Sequence, residues 1–229
     1  RGYRKLYRLA GNIYERASAR FSRGVFLYTN FQKHPVSSIQ ALIEAVDEFD
    51  FALSQKILNN YPDRYVACLT QLGNTYRRAA NEYLYPLSPN ECRIKAMECF
   101  QGVEKYLSNR SGSEYPSLSM LHAENYANKA VLHCDLKEYD ASLILYVKSA
   151  EIIISEIKRF GLRFLQYPKN RIVYSSVIGL AYRSIKSIDG QRYPVLLGEI
   201  KSIVDVVGYP DLSFSCLLYT SPSPRDLAV

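Results

Sequence analysis

Tyr61-Pro62-Asp63-Arg64-Tyr65-Val66-Ala67-Cys68-Leu69-Thr70-Gln71-Leu72-Gly73-Asn74-Thr75-Tyr76 decides the reading of this chain. Two features of the stretch come back elsewhere. Tyr-Pro returns at Tyr115-Pro116, Tyr167-Pro168 and Tyr209-Pro210, and a small residue follows it at a fixed distance. From 61 to 73, from 115 to 127 and from 167 to 179 the step is 12, ending on Gly73, Ala127 and Gly179. A constant offset inside a longer period is the signature of an array of like units.

The surrounding sequence supplies helices to fill those units. Proline suits the first turn of a helix, where its missing N–H costs nothing. Ahead of Tyr61, Ile39, Leu42, Ile43, Val46, Phe49, Leu53 and Ile57 mark one helical face, predicting a helix from about Ser38 to Leu58. Behind Pro62, Val66, Leu69, Leu72, Gly73, Tyr76 and Ala80 do the same. Ser88-Pro89-Asn90-Glu91 reads as a capping box opening a helix with Ile94, Met97, Phe100, Val103 and Leu107. A third pair carries Leu118, Leu121, Tyr126, Ala127, Ala130 and Val131, then Tyr139, Leu143, Tyr146, Ala150, Ile153 and Ile157, closed by Gly161. A fourth runs over 168–186 and 194–207, turning at Asp189-Gly190 and capped by Gly208. Toward the start, Tyr3 to Arg23 predicts a helix with Leu6, Ala10, Ile13, Tyr14, Ala17 and Phe21 on one face, and Gly24 as its C-terminal cap. In that frame Gly11 is the first repeated small residue, and the spacings are 62, 54 and 52 residues. Gly or Ala is expected there because two helices cross closely and a larger side chain would separate them. The fold class is all-α.

The 229 residues are 48% apolar and 22% charged, ordinary for a folded chain, and no run approaches the roughly 20 apolar residues of a membrane-crossing helix. Trp is absent and Tyr numbers 20, which suits half-buried helix surfaces where the ring packs and the hydroxyl stays wet. The net charge of +7 is uneven: the first 23 residues hold seven cations against Glu15 alone, the remainder 22 against 21 carboxylates. Five cysteines, Cys68, Cys92, Cys99, Cys134 and Cys216, form no CxxC pair, so packed reduced thiols and a cytoplasmic setting are expected. The tail from Cys216 through Ser221-Pro222-Ser223-Pro224 to Val229 leaves the helical pattern and resembles a translated sequencing adapter; by composition alone it is a disordered Ser/Pro tail. The expected repeat domain is residues 1–212, a fragment open at both ends, and 216–229 is set aside.

The paired helices resemble tetratricopeptide repeats, and Tyr61-Pro62-Asp63 through Leu72-Gly73-Asn74-Thr75-Tyr76 is similar to the long, roughly 50-residue bacterial form found ahead of caspase-like (CHAT) proteases or signalling ATPases. Tyr126-Ala127, Ala130 and Leu180 depart from that pattern. The resemblance implies an α-solenoid of about four antiparallel helix hairpins, and a concave groove that takes a peptide or helix of a partner. The residue after the repeated small position faces that groove in the family, which implies Asn12, Asn74 and Asn128 as contacts. Arg8, Arg16, Arg77 and Arg183 would line the same groove, with Glu124 opposite, arginine being forked and always charged. The plainer reading makes the asparagines structural members of the repeat. The expected role is a non-catalytic protein-binding scaffold; the rival is a regulatory segment of a larger enzyme such as a CHAT protease, whose own His and Cys this chain lacks.

Other chemistry reads weakly. The arginine-rich start could meet phosphates of RNA or an anionic membrane, with Tyr3, Tyr7 and Tyr14 stacking on bases; a solvated or internally paired face is the simpler account, and nucleic acid is not the expected partner. His122, His133 and Cys134 suggest a thiol or metal site only superficially, because His133 and Cys134 are sequence neighbours and point apart on a helix. No phosphate-binding glycine loop, dinucleotide fingerprint or HExxH occurs, so no cofactor or metal is expected.

Overall fold

The computed structural model describes residues 12–33, 39–82, 86–109 and 116–207. The described residues contain eight α-helices and no strand: α1 (Ile13–Lys33), α2 (Ile39–Ser54), α3 (Pro62–Glu82), α4 (Pro89–Ser108), α5 (Pro116–Asp135), α6 (Tyr139–Phe160), α7 (Pro168–Asp189) and α8 (Pro194–Val207). Two short 3₁₀ turns, Ile57–Asn60 and Leu162–Gln166, precede α3 and α7. Five of the helices open on a proline, as the sequence predicts for each of those sites. Arg8, Gly11, the 34–38 connection, Gly208 and the tail lie outside the described residues.

Two compact units divide the chain, Arg1–Tyr106 and Leu107–Val229. In the first, α1 pairs with α2, α2 with α3, and α3 packs on α4 through Tyr65 and Tyr106, whose ring centres lie 4.4 Å apart. The Tyr106 hydroxyl donates to the Asn59 carbonyl at 2.8 Å, tying α4 to the turn before α3. Leu42, Val46, Phe49, Val66, Leu72 and Phe100 are buried here.

The start of the chain departs from the expected helix. Gly24 is not a cap: α1 continues through it to Lys33, and Tyr28 and Phe31 extend the buried face. The reason is a ring, not a turn. A Cβ built on Gly24 would lie 2.7 Å from Cε1 of Phe49, and one on Gly73 would lie 2.7 Å from Cε1 of Phe100. Both rings are wholly buried. The same contact, glycine of the first helix under phenylalanine of the second, thus holds α1 on α2 and α3 on α4. With Gly24 in that role the first spacing becomes 49 residues, nearer to 54 and 52 than the 62 measured from Gly11. Asn12 then occupies the place of Tyr61, 12 residues ahead of its glycine.

The helix predicted to reach Leu58 stops instead at Ser54. Lys56 adopts a left-handed backbone (φ 46°), and the 3₁₀ turn Ile57–Asn60 carries the chain to Tyr61, with Leu58 buried beneath it. Ile94, expected in the apolar stripe of α4, is half exposed, while Phe100, Val103 and Leu107 are buried as expected.

The capping box at α4 forms as read. The Ser88 N–H and hydroxyl donate to Glu91 Oε2 at 2.8 and 2.7 Å, and the Glu91 N–H returns to Ser88 Oγ at 3.3 Å. Those two donations hold the Glu91 carboxyl below its ordinary 4.5, the hydroxyl contributing most. A depressed acid stabilises the fold above its unfolded pKa and loses that contribution as pH falls through the folded value. A carboxyl-detected NMR titration should therefore place Glu91 below 4.5, and Ser88→Ala should return it toward 4.5.

In the second unit α5 pairs with α6, α6 with α7 and α7 with α8; α5 also reaches α7, and α6 reaches α8. A tight turn at 136–138, with Lys137 left-handed (φ 63°) and the Glu138 N–H on the His133 carbonyl at 2.9 Å, folds α6 back on α5. Ala123, Ala127 and Ala130 keep α5 thin on its inner side against Tyr146, Ala150 and Ile153. There the Ser149 hydroxyl donates to the Ala123 carbonyl at 2.7 Å, an approach a bulky residue at Ala123 would block. Val173, Tyr174, Val177 and Ile178 of α7 complete the core, with Ile200 and Val204 of α8.

Candidate functional site

Of the eight residues expected to line a groove, Arg8 lies outside the described residues, Asn12, Arg16, Asn74 and Arg77 belong to the first unit, and Glu124, Asn128 and Arg183 belong to the second. Asn12 stands exposed before α1, where its Oδ1 accepts the Glu15 N–H at 2.8 Å. That is an N-cap role, and an asparagine in this position satisfies one of the helix's orphan donors. Arg16 is exposed one turn on. Asn74 and Arg77 sit on α3 with only 8% and 2% of their surface exposed. On α5, Asn128 is 1% exposed, and its Nδ2 donates to the Glu124 carbonyl at 3.0 Å, one helical turn back. Glu124 itself is half-buried, and Arg183 on α7 is exposed.

Asn74 and Asn128 therefore share a repeated position that points into the helix pack. Their Oδ1 atoms are buried and accept no hydrogen bond among the described residues. A ligand could touch either oxygen only if the groups covering it moved. In the register set by Gly24, the equivalent residue of the first hairpin is Val25, which cannot make such a contact at all.

The basic first helix is partly neutralised from within. Arg20 Nη1 donates to both oxygens of Glu48, at 2.9 and 3.0 Å, and Arg23 bonds Glu48 through Nη1 and Glu44 Oε2 through Nη2 at 2.9 Å. The Arg20 guanidinium also covers the Phe51 ring at 4.4 Å. Glu48 is only 3% exposed. Two arginines on α1 thus clamp a buried carboxylate on α2, and Arg20 and Arg23 are engaged there rather than presented to phosphate. Tyr14 lies against Tyr61 with ring centres 4.1 Å apart, a packing role. The complementary stripes were open to a reader: Arg20 and Arg23 are three apart, Glu44 and Glu48 four apart, each pair on one helical face.

The thiols are packed. Cys68, Cys92, Cys99 and Cys134 are free and buried. Burial pushes the Cys68 thiol well above its usual range and Cys99 to about 12, so neither is a thiolate at neutral pH. His133 and Cys134 turn to different partners: His133 Nδ1 meets Glu138 Oε2 at 2.6 Å, and Cys134 Sγ meets Ser142 Oγ at 2.9 Å. Among the described residues no group of three or more His, Cys, Asp or Glu side chains is placed to hold a metal, and no helix is long and apolar enough to cross a membrane.

One basic surface feature lies within the nearly neutral remainder of the chain. Residues 158–171 contain Lys158, Arg159, Arg163, Lys169 and Arg171 and no acid. They form the elbow between α6 and α7, where a cleft of about 310 Å³ is lined by Arg163, Gln166 and Tyr167. A sliding charge count would have found it. No family model, curated protein or solved structure matches the chain.

Proposed function

We propose that the chain is a non-catalytic, protein-binding module of the tetratricopeptide type, whose hairpins stack as an α-solenoid and hold a peptide or helix of a partner. One observation carries the reading: the glycine-under-phenylalanine contact recurs in successive hairpins, at Gly24–Phe49 and Gly73–Phe100. A hairpin copied with its internal contact intact is the building plan of repeat arrays, in which a unit buries its flank only against a neighbour. The contacts of α5 with α7 and of α6 with α8 supply the same kind of next-but-one packing. Such stacks offer long helical faces, and helix or extended-peptide recognition is their common use.

Within this reading six of the eight residues divide by role, with Asn12 capping its helix. Asn74, Arg77 and Asn128 shape the helices beneath the binding face. Arg16 and Arg183, being exposed, meet carboxylates of the partner, and Glu124 meets a cation. Selection of a displayed random-peptide library against the full chain, followed by titration of the enriched peptides, tests it. The expected outcome is micromolar binding that Arg183→Glu or Arg16→Glu weakens at least tenfold, a change of about 1.4 kcal/mol. A library that yields no peptide binding more tightly than about 100 μM, near −5.5 kcal/mol, sinks the reading.

A further inference from the structure

The elbow between α6 and α7 is a built feature. Gly161 turns the chain at φ 70°, a value that favours glycine, and its N–H closes α6 on the Ile157 carbonyl at 2.8 Å. Phe164 and Leu165 anchor the 3₁₀ turn in the core, and the Phe160 and Phe164 rings stack 5.7 Å apart. The buried Asn170 side chain donates to the Phe164 carbonyl at 3.1 Å, fixing the turn to the first turn of α7. A backbone held at so many points presents its outward side chains in a set arrangement.

What it presents is unusual for a solvated loop. Tyr167, Ile172 and Leu162 are 68%, 67% and 43% exposed, and cations stand among them. Lys158 is paired with Glu199 at 2.5 Å, and the Arg159 guanidinium rests over the Phe160 ring at 4.8 Å. Arg163 uses Nε to hold the Phe160 carbonyl at 3.2 Å, which orients its remaining N–H groups. Arg171, one helical turn after Tyr167, is exposed on the same stretch. Beside these lies the cleft bordered by Arg163, Gln166 and Tyr167.

We propose that this elbow docks an acidic linear segment of a partner protein, seating one aliphatic or aromatic side chain in the cleft against Tyr167. Carboxylates on either side of that anchor pair with Arg163 and Arg171. Charge complementarity selects an anionic partner, and forked guanidinium groups suit carboxylates. The cleft favours a protruding side chain over a flat bilayer. The exposed apolar groups favour a peptide over single-stranded RNA, because two of the three are aliphatic and offer no ring for a base to stack on. The site shares no residue with the binding face proposed above and stands or falls separately.

The probe is a synthetic fluorescein-labelled dodecapeptide alternating Asp/Glu with Leu/Phe, titrated with the full chain by anisotropy in low salt. Binding in the micromolar range is expected, weakened at least tenfold by Arg163→Glu, by Arg171→Glu and by Tyr167→Ala, and unchanged by Arg183→Glu. All three elbow residues are exposed, so thermal melts of the variants should match the parent. A companion peptide with every Leu and Phe replaced by Ser should bind at least tenfold less tightly. The proposal is overturned if the two peptides bind alike, if the elbow variants leave binding unchanged, or if a dodecamer of oligouridylate or phosphatidylserine vesicles bind the elbow more tightly than the probe.

Discussion

Replacing Glu48 with alanine should destabilise the chain by about 2–4 kcal/mol. Removing one member of a buried ion pair typically costs about 3–5 kcal/mol because the partner charge is stranded. The lower figure applies because Arg20 and Arg23 keep 28% and 23% of their side-chain exposure and would recover some solvation. Glu48→Gln should cost less, since the amide oxygen still accepts from Arg20. Glu44→Ala should cost under about 1 kcal/mol, because Glu44 is more exposed and makes a single contact with Arg23. Urea midpoints of the three variants check the order. Equal losses at positions 44 and 48 would mean that burial of the Glu48 carboxylate is not what matters.

Alanine at two glycines of the first unit should act with opposite signs. At Gly73 a methyl group would meet the buried Phe100 ring at 2.7 Å and Cys99 Cβ at 3.2 Å. Helix propensity favours alanine by about 1 kcal/mol, while overpacking costs about 1–3 kcal/mol. With a ring that has nowhere to go, a net loss of about 1–2 kcal/mol is expected, and Gly24→Ala against Phe49 should behave alike. At Gly102 the nearest atom is Leu69 Cδ1 at 3.6 Å, ordinary contact, so Gly102→Ala should gain about 0.5–1 kcal/mol. In a double-mutant cycle, Phe100→Leu should reduce the penalty of Gly73→Ala, since the two share one contact. Additive losses would show that the ring is not the obstacle.

Much of the helical frame was legible because its signals are local. Pro62, Pro89, Pro116, Pro168 and Pro194 each mark a first turn, and the Ser88–Glu91 box needs only four residues to be recognised. Gly24 departs from its expected capping role for the same reason. By local rules a glycine after a polar stretch is a helix end; the residue that makes it a crossing point, Phe49, lies 25 positions away. The burial of Asn74 and Asn128 is likewise invisible locally. A polar residue on a helix can face a groove or a neighbouring helix at the same periodicity, and only packing distinguishes them. The elbow's charge was present in the composition all along, hidden by averaging over a long remainder that is nearly neutral.

The neighbour-to-neighbour order of packing bears on how such a chain is made. In each unit the principal partners of a helix lie one or two helices away in sequence. Chains dominated by contacts of short sequence separation fold quickly, and domains generally fold as units while synthesis proceeds. As it leaves the ribosome, α1 can close on α2, and α2 on α3, while the second unit is still untranslated. A stalled or shortened nascent chain would then hold a formed leading unit rather than a collapsed coil, which limited proteolysis of ribosome-bound intermediates can reveal.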